Sequence, residues 1–96
     1  MRQKLLLADD SITVQRVIEL TLADEDLDVL TVGDGELAVE CLAREQPEIV
    51  LADVNMPGRD GYAVAEFVKQ SPEYAGRTRV VLLTGLLPAE KRRQVR

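Results

Sequence analysis

The stretch that decides the fold is Ile49 to Gly61, I-V-L-A-D-V-N-M-P-G-R-D-G. An apolar run of strand character ends on a carboxylate, Asp53, and breaks just before a Pro57-Gly58 turn, so the acid sits where a strand opens into a loop. In an open α/β sheet, chemistry gathers at such strand ends. Working outward, two further runs resemble it. Leu5 to Ala8 is continuously apolar, as a strand buried on both faces must be, and is followed by Asp9 and Asp10. Val80 to Leu83 is a second such run and ends on Thr84 and Gly85. A weaker run, Asp28 to Val32, has the mixed character of an edge strand.

Helical spacing fills the gaps. Ser11 is placed to cap a helix reaching about Ala23, with Val14, Val17, Ile18, Thr21 and Leu22 on one face and Gln15, Arg16 and Glu19 pointing away. Leu37, Ala38, Cys41 and Leu42 line a second helix that ends near Glu45, before Pro47. Val64, Phe67 and Val68 mark a third, which stops before Pro72, and Pro88 opens a fourth that runs on to Arg96. Strands Lys4–Ala8, 28–32, 49–52 and 80–83 alternate with these helices, which predicts a doubly wound parallel α/β sheet.

The 96 residues fit one small domain with an aliphatic core, since Tyr62, Tyr74 and Phe67 are the only aromatic residues. A net charge of -5 argues against sequence-independent binding to phosphate backbones, which needs clustered basic residues. The lone Cys41 excludes an internal disulfide and a cysteine-built zinc site, and reads as a small core residue. With no signal peptide or membrane-length run, a reducing cytoplasm is the expected setting.

In a parallel sheet Asp9, Asp10, Asp53 and Thr84 converge on one edge. Three carboxylates there repel one another unless a cation compensates, and an oxygen-only ligand set suits a hard ion, Mg²⁺ before Ca²⁺. A metal-held carboxylate beside a hydroxyl suits phosphoryl transfer, in which an aspartate can itself be the nucleophile.

The pair Asp9-Asp10, the segment D-V-N-M-P-G-R-D-G from Asp53, and Thr84-Gly85 together resemble the receiver domains of two-component response regulators. The resemblance spans residues 1–96 in order. It implies a flavodoxin-like strand order 2-1-3-4, with Asp53 as phosphoacceptor for a histidine kinase or histidine phosphotransfer protein. It also implies Mg²⁺ on Asp10, Asp53 and the backbone carbonyl of Asn55, with Asp9 acting mainly through a water, and Thr84 as the phosphoryl contact and switch. Such a domain is not a dedicated enzyme, yet it catalyses its own phosphorylation and dephosphorylation, and it signals to a downstream target or fused effector. The surface near helix four, with Lys91, Arg92, Arg93 and Arg96, is a solvated face with a possible docking role.

The family's fifth strand, its lysine and its fifth helix are not found within residues 1–96. An apolar fourth strand at a bare edge therefore predicts further sequence after Arg96, or, if the polypeptide ends there, a dimeric, swapped or aggregation-prone species. This absence keeps a second reading open, a receiver-shaped interaction module that works without phosphorylation.

A third reading comes from Gly33-Asp34-Gly35-Glu36-Leu37-Ala38, which fits the G-x-G-x-x-A dinucleotide fingerprint. Asp34 would set a carboxylate at the pyrophosphate position, and the fingerprint leaves Asp9, Asp10 and Thr84 unexplained. A tight turn with Asp34 as helix cap is the preferred reading.

Overall fold

The computed structural model describes residues 3–56 and 58–83. Four strands, β1 (Gln3–Ala8), β2 (Leu27–Val32), β3 (Ile49–Asp53) and β4 (Arg79–Leu83), alternate with α1 (Ile12–Thr21), α2 (Gly35–Glu45) and α3 (Gly61–Gln70). All pairings are parallel, and the order across the sheet is β2-β1-β3-β4. The expected doubly wound order is thus observed, with β2 on an edge. The fourth helix and the Lys91–Arg93 cluster lie outside the described residues.

Side chains alternate across a strand, and that alternation explains the continuous apolar runs. Leu6 and Ala8 of β1 join Val50 and Ala52 of β3 in a core with Ala38, Cys41 and Leu42 of α2 and Val64 and Val68 of α3. Leu5 and Leu7 face the other way, packing with Val14 and Ile18 of α1 and with Leu83. Each of the two central strands therefore feeds two cores. Cys41 is buried, and burial pushes its thiol above the ordinary range, as befits a packing residue.

Each helix begins on an oxygen cap. Ser11 Oγ accepts the Val14 N–H at 3.2 Å, Asp34 Oδ1 the Leu37 N–H at 2.8 Å, and Asp60 Oδ1 the Ala63 N–H at 2.9 Å. Asp34 is thus engaged as a cap, the role preferred for it over a pyrophosphate turn.

Two expectations need correction. Of the predicted α1 face, Val14 and Ile18 are buried, but Val17 is 50% exposed and Thr21 is also exposed, so the stripe touching the sheet is narrower than the periodicity implies. Leu37 is likewise on the surface of α2. Second, β4 is not buried on both faces: Val81 pairs in register with Leu51, on the α1 side of the sheet, yet is 49% exposed. Among the described residues β4 is the sheet's other edge, and of its side chains only Leu83 joins the core on the α1 side.

One substitution made twice on α1 tests this packing. Val14→Ala is expected to cost about 2 kcal/mol in urea unfolding, the loss of a buried pair of methyls plus the space left behind. Val17→Ala should stay within about 0.5 kcal/mol of the parent. Equal costs would contradict the narrow stripe.

Candidate metal centre at the strand ends

β1 and β3 are neighbours, with Ala8 opposite Ala52, so the next residue on each strand, Asp9 and Asp53, emerges at the same level of the carboxyl edge. Both are fully buried, while Asp10, one residue further, is exposed. One carboxylate oxygen from each of the three lies within 4.8 Å of the others. Register alone produces this convergence, across a long gap in sequence.

Short backbone contacts fix Asp9 and Asp53. The Ser11 N–H donates to Asp9 Oδ1 at 2.8 Å, and the Asp9 N–H donates to the Val32 carbonyl at 3.1 Å, tying the turn to β2. Gln15 reaches back from α1 to donate Nε2–H to the Asp9 carbonyl at 2.7 Å. On the β3 side the Asn55 N–H donates to Asp53 Oδ1 at 3.1 Å. Two unit charges at that separation repel by roughly 3 kcal/mol at an effective dielectric near 20. An oxygen-only cluster, buried on one side and open at Asp10, fits a small hard dication that keeps several waters.

The loop after β3 is anchored by Val54 and Met56, both buried, and turns at Gly58 with φ +71°. Two glycines allow its ends to approach the helices. A Cβ on Gly35 would overlap the carbonyl oxygen of Arg59, and one on Gly61 would lie 2.5 Å from the Asp53 carbonyl oxygen and 3.0 Å from that of Ala52. Sequence reading brought together Asp9, Asp10, Asp53 and Asn55 but missed Gln15, Gly35, Arg59 and Gly61. Of these Gly35 and Gly61 carried a local signal, each a glycine directly after a helix cap, where most other residues serve a helix better. Thr84, the expected hydroxyl, lies outside the described residues.

Fold and cluster together define a flavodoxin-like α/β domain with an acidic cleft where its central strands end. The chain belongs to the response regulator receiver family, whose domain model matches residues 5–95. It is 33% identical over 85 residues to the probable transcriptional regulator ycf27 of Cyanophora paradoxa, a match covering 88% of this chain and 34% of that relative. The chain thus spans about a third of the length of the curated relatives it matches. Among solved structures it is similar to the receiver domain of the sensor histidine kinase PA1611 from Pseudomonas aeruginosa, which has a magnesium ion coordinated in the active site cleft. The TM-score there is 0.78 at 29% identity, covering 96% of this chain and 75% of that one. The phosphorylated cyanobacterial phytochrome response regulator RcpA is similar at TM-score 0.80 and 29% identity, covering 95% of this chain and 71% of its own. Among the described residues no helix is long and apolar enough to cross a membrane.

Proposed function

We propose that this receiver takes a phosphoryl group onto Asp53, with Mg²⁺ present, from the phosphohistidine of a histidine kinase or phosphotransfer protein. The observation that carries the reading is the fully buried Asp53 carboxylate grouped with Asp9 and Asp10 at the strand ends. An Oδ–P bond forms as the N–P bond of the phosphohistidine breaks, and the imidazole nitrogen keeps the electron pair and takes up a proton. The Asn55 N–H holds one carboxylate oxygen and so arrests rotation of the nucleophile. Asp9, Asp10, Asp53 and the Asn55 carbonyl would hold Mg²⁺, which when bound offsets charge on the phosphoryl oxygens. By family resemblance, Thr84 contacts the phosphoryl group and relays its arrival. The magnesium-bearing and phosphorylated relatives support the same chemistry here.

The donor needs a surface to dock on beside the acids. Ile12, two residues after Asp10, is 65% exposed, and Leu20, two turns along the same side of α1, is 77% exposed. Aliphatic residues exposed in this way suit the apolar face of a partner helix. A small acyl phosphate bypasses docking and tests the chemistry alone. With Mg²⁺ the protein is expected to gain about 80 Da, one phosphoryl group, and in excess EDTA nothing. An unchanged mass under conditions that modify a known receiver would overturn the reading and favour the phosphorylation-independent interaction module.

A further inference from the structure

The loop between β3 and α3 is held from the side by a charged residue that the phosphoryl chemistry does not use. Arg59 Nε–H donates to Glu36 Oε1 at 2.9 Å, and the guanidinium carbon lies 5.6 Å from the centre of the Phe67 ring. The Arg59 carbonyl oxygen occupies the space a side chain at position 35 would need. Three elements meet at this one residue: the first turn of α2, the body of α3 and the loop. Phe67 is in turn braced by Tyr74, which is buried, at 6.1 Å between ring centres. The ring is therefore a fixed platform.

Asn55 lies four residues before Arg59 on the same loop, with its N–H on Asp53 Oδ1. Whatever fixes Arg59 limits how far this segment swings from the acids. Met56 anchors its near end from beneath, and Arg59 ties its far end to α2.

We propose that Arg59 is a positioning residue for the cation site: its bond to Glu36 and its seat on Phe67 pin the loop against α2 and keep Asn55 in register with Asp53. This rests on reading the acidic cluster as a Mg²⁺ site. The Arg59 and Glu36 side chains are 41% and 64% exposed, so the pair adds little to global stability. A local tie of this kind acts on the balance between closed and loosened loop, and cation affinity falls with the closed fraction. Because the tie is exposed, salt should weaken it.

Calorimetric titration of MgCl₂ into the protein, Arg59→Gln, Glu36→Gln and the double variant tests this. Saturable binding by the parent is expected, with Arg59→Gln about fivefold weaker, Glu36→Gln weakened less because the seat on Phe67 remains, and the double no weaker than Arg59→Gln, because that change already removes both contacts. Melting midpoints in EDTA should agree within about 2 °C, which separates positioning from a general loss of structure. Arg59→Lys, which keeps the charge over Phe67 but lacks the Nε–H, should fall between parent and Arg59→Gln. Saturable binding of equal strength in all variants overturns the positioning role and leaves the Mg²⁺ reading intact. Affinity losses that merely follow lowered EDTA melting midpoints also overturn it. A parent that shows no saturable binding overturns the Mg²⁺ reading itself.

Discussion

Asp53→Asn is expected to remove the acyl-phosphate mass gain entirely while making the metal-free protein more stable, by about 1–2 kcal/mol in EDTA. The amide has the same shape and keeps an oxygen for the Asn55 N–H, so the loop has no reason to move. It lacks the anionic oxygen that attacks phosphorus, and the nucleophilic step disappears. The stability gain comes from the same loss of charge. Three carboxylates with oxygens within 4.8 Å of one another, two of them fully buried, oppose folding when no cation is present. Neutralising one removes two of the three repulsive pairs, and imperfect partners for the new amide hydrogens offset part of that relief.

Mg²⁺ then reverses the order. Saturating cation stabilises the parent by mass action, about 2.7 kcal/mol at a hundred times the dissociation constant, and stabilises Asp53→Asn much less. Thermal melts of both proteins with and without Mg²⁺, together with intact mass after acyl-phosphate treatment, check every part. A full mass gain in Asp53→Asn would move the phosphoacceptor to another residue. Lower stability of that variant in EDTA would mean that charge repulsion does not dominate the cluster.

The acids at these strand ends were legible in the sequence because two regular rules combine. Apolar runs at β1 and β3 mark strands, and parallel pairing forces the residues after them to one edge, so Asp9 and Asp53 meet whatever the loops do. Caps were legible for a similar reason: Ser11 and Asp34 act on backbone within their own turn. The breadth of the α1 stripe was not. Periodicity reports which residues share a side of a helix, and how much of that side meets the sheet depends on where the helix lies, so Val17 counts as core in sequence and is half exposed in the fold. The contact of Arg59 with Glu36 and Phe67 was equally hidden. It joins three elements through exposed or half-buried side chains, and no spacing rule relates a loop arginine to a glutamate 23 residues earlier.

Gly61→Ala is expected to cost about 3 kcal/mol and to disturb the site through the backbone, without touching any acid. Gly61 is the first residue of α3, directly after the Asp60 cap, and at such a position alanine would ordinarily favour the helix. Here the added methyl would stand 2.5 Å from the Asp53 carbonyl oxygen, closer than such atoms approach, and 3.0 Å from that of Ala52, a tight contact. Both obstacles are backbone atoms at the end of β3, so no side-chain rotation relieves the contact; either α3 withdraws or the strand end gives way. Withdrawal pulls on the Asp60 cap and on Val64, which is fully buried one turn later, while a shift of the strand carries Asp53 away from Asp9. Both routes weaken the acid cluster, so Mg²⁺ affinity should fall together with stability, unlike Arg59→Gln, where affinity should fall alone. Gly76→Ala is the matched control. Its Cβ would meet nothing within 4 Å and its φ lies outside the left-handed region, so a change between zero and a gain of about 0.5 kcal/mol is expected in urea unfolding. If Gly61→Ala unfolded at the same urea concentration as Gly76→Ala, α3 would have room to spare at its start. The close seating of that helix on the phosphoacceptor strand would then not be what fixes Asp53 in place.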